Sequence, residues 1–469
     1  MVTLAGAPAT AKKPAGKLVV ALWFGLAVLG PCEETRNTMI WLYRLLFPVV
    51  LLAMAPYYLL RMRRRGGYAR GFAHRFGSVP SLPERRPGVR RVWLQAVSVG
   101  EMLAIEPLLR ALSADGTEVV LTTTTSTGYR VAVDRYPRLV AAAAYFPLDW
   151  APFSARAWEA IRPDLAIITE GERWPEHLRQ ASRRGVPVLC INARISDRSF
   201  SRLARFPMAG RFVTAGITRL LAASAQDAER FRSLGIAPER VETTGNIKLD
   251  VQIPILDEAA RAALRRELGL GGDRMVLLGS STWPGEEEAL LDALVAARAR
   301  GIPVSLLLVP RHAERRFELE KLLRGTGLQS HFRSRGGAPG GVDVAVADTT
   351  GELRALTQLA DLVFVGKSLP PHTDGQTPVE AAALGKPILL GPGMENFRAI
   401  AQDLLARGAA LQVADSPGLE REVMVLLADR SRRVAMTTAA AAWRRDTGGG
   451  VERTLGAIRR EFARINKSG

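Results

Sequence analysis

The chain has 469 residues, with 64 lysines and arginines against 46 acids and a formal net charge of +18 at pH 7. Apolar residues make up 47% and charged residues 23%, which excludes a disordered chain, and the length exceeds one ordinary core. A balance this basic suits nucleic acid, lipid headgroups or a phosphorylated, carboxylated substrate, and the position of the charge decides among them. Cys32 and Cys190 are the only cysteines and five histidines are scattered, so neither a disulfide framework nor a metal-ligand cluster is expected. The soluble body reads as cytosolic.

In chain order, Lys12, Lys13 and Lys17 precede a short apolar run, Leu18 to Leu29, in the manner of a secretory signal. No small-x-small cleavage site follows, and AVLGPC is a poor lipoprotein box. Met39 is therefore expected to be the natural start, with residues 1–38 an upstream extension. Met39 to Leu60 is apolar enough to span a bilayer, although Arg44, Pro48 and Pro56 interrupt it and leave an interfacial helix as a second reading. Arg61, Arg63, Arg64, Arg65, Arg70 and Arg75 follow without an acid. Such a flank stays in the cytoplasm beside anionic headgroups, so a membrane anchor and basic flank are expected over residues 39–76. The bland alternative, a buried core helix with a solvated basic loop, fits six adjoining arginines poorly. With the charge concentrated here and no aromatic-studded basic strand, nucleic acid is not expected as a partner.

From Arg91 onward, short apolar runs alternate with amphipathic stretches. VWLQAV, VVLTTTTS, LAIIT, VPVLCIN and LLAASA read as strands, and GEMLAIEPLLRALSA as a helix with apolar residues three and four apart. A second series begins near residue 275 with MVLLGS, PVSLLLVP, VDVAVA, LVFVG and KPILLGP. Near-continuous apolar strands are those buried on both faces, so the expected fold class is α/β. The arrangement predicted is two Rossmann-like, doubly wound domains facing a cleft, over residues 77–244 and 245–425. GNIKLDVQIP is the expected connection, and residues 426–469 are expected to pack back on the first domain. In such sheets ligands bind at the carboxyl ends of the strands.

Several strand ends carry residues with chemical potential. Glu101 in AVSVGE stands at a helix start, where it is either a general base or a first-turn acid complementing the helix dipole. Glu170 and Glu172 in ITEGERWP can orient a hydroxyl, or be neutralised by Arg173. Asn192, Arg194 and Ser196 in INARISDRS can hold phosphate or sugar hydroxyls, or simply form a turn. In the second series, GSSTWPGEEE places small residues before a helix start, a place for an anion. It is neither GxGxxG nor a P-loop, so no nicotinamide or Walker site is supported. Arg311 and His312 follow a strand; Arg311 can take phosphate, and His312 has no adjacent nucleophile. VADTTGEL offers another phosphate turn, and Glu380 in TPVEAA can accept from ribose hydroxyls.

Together these blocks resemble the Kdo (3-deoxy-D-manno-octulosonic acid) transferases of lipopolysaccharide synthesis. The resemblance runs from about Met39 to the carboxyl end through WLYRLLFP, AVSVGE, TTTTSTGY, YFPLDW, ITEGERWP, INARISDRS, TGNIKLD, GSSTWPGEE, LVPRHAER, ADTTGELR, FVGKS and PVEAA–GKPILLGP. It implies a GT-B fold, CMP-Kdo as donor, a lipid A precursor as acceptor, and an inner-membrane enzyme whose body faces the cytoplasm among phospholipid headgroups. It implies inverting chemistry with no metal and no cofactor, consistent with the lack of a DxD motif. Carried over by motif, Glu101 is the general base and Glu172 a carboxylate near the acceptor. Glu170, Asn192 and Arg194, read from their residue types at strand ends, are candidate acceptor or sugar contacts. Arg311 meets the CMP phosphate and Glu380 the ribose, with Ser280, Gly285 and Glu286 in one nucleotide loop and Gly351 and Glu352 in another.

One block departs from the pattern. A Gly-Gly-His-Asn turn is expected before Pro-x-Glu, and Asp374 to Glu380 reads DGQTPVE instead. This departure supports one alternative, an inactive homologue that binds the lipid or nucleotide; the anchor and fold also suit a second, a GT-B transferase using a UDP sugar and a lipid acceptor.

Overall fold

The computed structural model describes residues 33–64, 71–171, 174–250 and 253–468. The chain divides into two compact units. Unit one runs to Asp250 and takes back Gly449–Gly469, and unit two is Val251–Gly448.

Unit one is built on seven parallel strands: β1 (Arg91–Gln95), β2 (Glu118–Thr123), β3 (Ala142–Tyr145), β4 (Leu165–Thr169), β5 (Val188–Ala193), β6 (Arg219–Ala222) and β7 (Val241–Thr243). Their order is β3-β2-β1-β4-β5-β6-β7, so the sheet grows in both directions from β1. Every residue of β1, β2, β4 and β5 is buried, as helices on both faces require. Alternation along β1 sends Trp93 to one core with Phe146, Trp158 and Phe231, and Val92 and Leu94 to the other with Ile105, Leu109 and Tyr136. The last helix, Gly450–Ser468, adds Leu455 and Ile458 to that second core. Asp250 fixes its start by accepting from Gly449 N (3.3 Å) and Val451 N (2.8 Å).

The helix Glu33–Arg64 docks on unit one through its early turns. Met39, Ile40 and Tyr43 are buried with Phe212. Tyr43 donates to Asp149 at 2.6 Å, and Arg44 makes a two-pronged contact with Glu176 at 2.8 Å per prong. Arg44, which interrupts the apolar run, is therefore paired inside the body. On the same helix Trp41, Leu45, Val49 and Leu52 are exposed, at spacings that form one stripe. Among the described residues this is the one helix long and apolar enough to cross a membrane, by length and composition alone.

Unit two repeats the plan with β8 (Met275–Thr282), β9 (Val304–Pro310), β10 (Ser330–Phe332), β11 (Val344–Val346), β12 (Leu362–Val365), β13 (Ile388–Leu390) and β14 (Ala410–Gln412). All are parallel, in the order β10-β11-β9-β8-β12-β13-β14. Leu277, Leu306 and Phe364 of the sheet share a core with Leu290 and Leu294 of helix Glu286–Ala299 and with Leu419 and Leu427 of helix Ser416–Ala428. The closing helical stretch is broken at Asp429 and again at Gly448–Gly449. Helix Arg430–Thr447 stays on unit two, where Trp443 is buried and donates to Asp403 at 2.8 Å.

Two buried titrating groups in unit one oppose each other. Burial holds the His177 imidazole down at about 3, with Trp158 Nε1 donating to its Nδ1 at 3.2 Å. Burial also pushes the Asp149 carboxyl up to about 7, against the donors Tyr43, His177 N and Glu176 N. The unfolded chain binds a proton at His177 below about 6.5 that the folded chain refuses, so this group's stability is lost as pH falls from 6.5 toward 3. Asp149 acts with the opposite sign, losing stability as pH rises from 3.8 through 7. The stability deficit of His177→Gln against the parent should therefore narrow on acidification, by about 1.4 kcal/mol per pH unit between about pH 6 and pH 4. Denaturant midpoints across that range measure it, and a constant deficit would contradict the assignment.

Candidate active site

In unit one the turn after β1 is Ala96-Val97-Ser98-Val99-Gly100-Glu101. Ser98 caps the helix Val99–Ala104 by accepting from Glu101 N at 3.2 Å. The Glu101 carboxylate, 7% exposed, accepts from Val97 N (2.9 Å), Ser98 Oγ (2.9 Å) and Thr169 Oγ1 (2.5 Å). Thr169 ends β4, so this contact joins the ends of β1 and β4, the two strands between which the sheet order reverses. Three donors leave one of the carboxylate's four acceptor positions unfilled. Val97 O in turn accepts from Thr123 Oγ1 (3.1 Å) and Thr125 Oγ1 (2.9 Å). Gly128 fits this threonine cluster because a Cβ there would lie 2.6 Å from Thr123 Oγ1.

Glu170 follows β4 with φ 57° and forms an ion pair with Lys248. Asn192, at φ 50° in β5, donates to Glu170 at 3.4 Å and accepts from Ile247 N at 3.1 Å. The structure thus brings Glu101, Thr169, Glu170, Asn192 and Lys248 to neighbouring strand ends. Arg194, just past β5, is exposed. Glu172 lies outside the described residues. Lys248 and Thr169 were not singled out from sequence, although both stand in the TGNIKLD and IITEGERWP blocks.

In unit two each acid of the GEEE run has a separate structural task. Glu286, 1% exposed, accepts from Trp283 N (2.9 Å), Lys367 N (2.7 Å), Ser368 N (2.8 Å) and Leu369 N (3.1 Å). Its acceptor capacity is filled by backbone, so it holds the loops after β8 and β12 together. Glu287 is buried and pairs with Arg315 at 2.6 Å. Glu288 accepts from Gly285 N at 2.9 Å, and Gly285 takes φ 90° to start the helix. Ser280 is buried in β8. Arg311, exposed after β9, donates its backbone N–H to Thr282 O at 3.1 Å, which sets it beside the same loop.

Gly351, at φ 88°, precedes Glu352, whose carboxylate Arg333 holds at 2.8 and 2.7 Å with Thr349 as a further donor. Hydrogen bonding from Arg333 holds the Glu352 carboxyl below the usual range. Glu380 faces Arg354 at 3.9 Å through Oε1, and its buried Oε2 has no donor. Sequence reasoning passed over Lys367 and Trp283. Lys367 Nζ lies 4.5 Å above the Trp283 ring and 2.6 Å from Asp374 Oδ2. His312 and His372 flank that ring at 5.2 and 5.8 Å.

Left-handed backbone marks these loops. Among the described residues, five non-glycine residues have positive φ; Arg162 ends a helix, and Glu170, Asn192, Ser281 and Lys367 stand at carboxyl ends of strands. Each costs about 1–2 kcal/mol, least for asparagine. For Lys367 the half-exposed ion pair returns about 0.2–1 kcal/mol and the ring contact about 0.5–1. Stability alone thus gives no preference for lysine over glycine there.

Two parallel doubly wound units with polar clusters at the carboxyl ends of their strands have the GT-B-type architecture. The fold is shared with a solved glycosyltransferase from Rickettsia africae ESF-5, which is 10% identical with a TM-score of 0.52, covering 81% of this chain and 100% of that one. A putative UDP-N-acetylglucosamine 2-epimerase from Listeria monocytogenes also shares it, at 16% identity and TM-score 0.51, over 80% of this chain and 98% of that one. Fold alone therefore does not choose the reaction. Sequence does: residues 70–251 match the family model described as 3-deoxy-D-manno-octulosonic-acid transferase (kdotransferase). The 3-deoxy-D-manno-octulosonic acid transferase of Bordetella pertussis is 35% identical over 430 residues, 88% of this chain and 98% of that protein. The chain belongs to the Kdo transferase family and is a glycosyltransferase.

If Glu286 is a clamp, Glu286→Gln should destabilise the protein by on the order of 3 kcal/mol, since an amide NH2 faces two buried N–H donors. Thermal and denaturant unfolding check it; a loss below about 0.5 kcal/mol, the range of ordinary surface substitutions, would remove the clamp.

Proposed function

We propose that the enzyme transfers Kdo from CMP-Kdo to a lipid A precursor at the cytoplasmic face of the inner membrane, with inversion and without a metal. Family membership supports Kdo as the transferred group, and the hydrogen-bonded Glu101 carboxylate at the unit-one switch point carries the mechanistic reading. Its unfilled acceptor position suits a general base that takes the proton of the acceptor hydroxyl as that oxygen attacks the anomeric carbon. Such a base contributes about 10²–10⁴ in rate. Ser98 and Thr169 orient it.

The departing CMP carries the charge to be stabilised. Arg311 is the proposed phosphate contact, being exposed beside the Ser280–Gly285 loop. Glu380 is the proposed ribose contact, because the sugar hydroxyls supply the donor its Oε2 lacks. Glu286, filled by backbone donors, and Glu352, held by Arg333 and Thr349, brace the neighbouring loops. Glu170, Asn192 and Arg194 remain candidate acceptor contacts, and Glu172 a candidate carboxylate beside them. The exposed stripe Trp41–Leu45–Val49–Leu52 and the arginines after it suit phospholipid headgroups and the acyl boundary.

Glu101→Gln should lower Kdo transfer by about 10²–10⁴ while CMP binding stays within twofold of the parent. Mass spectrometry of lipid products from parallel reactions with CMP-Kdo and UDP sugars reads the donor directly. Transfer within tenfold of the parent would remove Glu101 from the base role, and product only with UDP sugars would overturn the donor.

A further inference from the structure

Lys367 combines a costly backbone, a partly exposed charge and a place at the strand ends where such sheets bind ligands. Its φ of 57° belongs to glycine, yet the loop is fixed there. Lys367 N donates to Glu286 at 2.7 Å, and Lys367 O accepts from Gly375 N at 2.8 Å. The loop follows β12 beside β8, where the strand order of unit two reverses and where doubly wound sheets take their ligands. From this rigid base the ammonium reaches over the Trp283 ring to Asp374, with the side chains 22% and 47% exposed. His312 and His372 flank the ring, and the exposed Arg311 precedes His312 in the chain.

We infer that Lys367 is a donor-specificity residue: it takes an anionic oxygen of the bound donor, and Asp374 is its resting partner, exchanged when the donor arrives. The inference rests on the donor reading above. The exposed ion pair returns little stability against the strained backbone, and it leaves the ammonium within reach of a ligand. Trp283 keeps the ammonium stretched across its face, so the charge is presented at the loop surface and its swing between acceptors is short. The segment that carries Asp374 pairs back on this loop through Gly375 N, which donates to Lys367 O, and Gln376 N, which donates to Gly366 O.

Two donor groups share the required chemistry, the sugar carboxylate and the phosphate, and CMP carries only the second. The experiment compares Lys367→Gly, Lys367→Met and Asp374→Asn with the parent enzyme, using CMP affinity by calorimetry and KM for CMP-Kdo in the transfer assay. Lys367→Gly relieves the backbone and should fold as stably as the parent, as thermal unfolding will report. Both lysine variants should raise the KM for CMP-Kdo about tenfold or more, the loss expected of a charge-assisted hydrogen bond. Unchanged CMP affinity assigns the carboxylate; a parallel loss for CMP assigns the phosphate. Asp374→Asn should leave the KM unchanged or lower it, since it frees the ammonium. The inference is overturned if folded lysine variants keep the parental KM and CMP affinity, or if Asp374→Asn weakens the donor as much as Lys367→Met does. A parent enzyme that binds neither CMP nor CMP-Kdo removes the donor reading itself, and this inference with it.

Discussion

In each unit one glutamate carboxylate spans the point where the strand order turns back. Glu101 follows β1 and reaches Thr169 at the end of β4; Glu286 follows β8 and reaches three backbone amides after β12. A doubly wound sheet leaves its first strand beside the one that starts its second half, with loops that diverge and carry N–H groups without a sheet partner. A carboxylate has four acceptor positions and no donor, so it can gather such groups from both sides at once. Each glutamate stands in the first turn of a helix, where the dipole also favours its charge. The two differ in the nature of their donors. Glu286 is saturated by main chain and cannot be released without opening two loops. Glu101 takes two of its three bonds from hydroxyls, which rotate and can follow a change of protonation.

Once these junctions are fixed, the neighbouring backbone has little freedom. Glycine serves where a Cβ would collide with main chain, as at Gly366, where it would come within 2.5 Å of Ser281 O, and at Gly391, where Ser368 O would lie at 2.1 Å. Elsewhere the loops impose left-handed backbone on Glu170, Asn192, Ser281 and Lys367, which are not built for it. Strain persists only where the surroundings over-determine it. Here the surroundings are the clamps themselves, so a rigid junction and a strained, polar strand end come from one cause.

This division explains what the sequence made legible. The central strands were readable because burial on both faces demands unbroken apolar runs. The four strands that escaped notice, β3, β7, β10 and β14, all lie at sheet edges and are three or four residues long. An edge strand needs one partner and little apolar surface, so neither periodicity nor composition marks it. Motif order located the loops around Glu101, Glu286, Arg311 and Glu380, but not the tasks within them. GEEE reads as one acidic run, and three carboxylates of the same type turn out to clamp, to pair and to cap. Which task falls to which residue depends on donors from β12 and from Arg315, distant in sequence. Lys367 was invisible for the same reason, since its partners Trp283 and Asp374 meet only in the fold.

Arg44 shows how far this dependence on distant partners extends. As sequence it is a charge inside an apolar run, which leaves an interfacial helix as a second reading beside a spanning one. In the fold it is half of a two-pronged ion pair whose other half, Glu176, is fully buried and also accepts from Gln180 at 2.7 Å. Removing Arg44 would leave that carboxylate buried with a single amide donor, a far larger penalty than losing an exposed pair. Tyr43 makes a parallel contact with Asp149, which also accepts from the first amides of helix Pro175–Arg183. The helix that begins at Glu33 is therefore joined through two carboxylates to the element immediately after the Glu170 loop. Its exposed stripe and its docked residues lie on the same helix, so the stripe begins beside the contacts with Asp149 and Glu176.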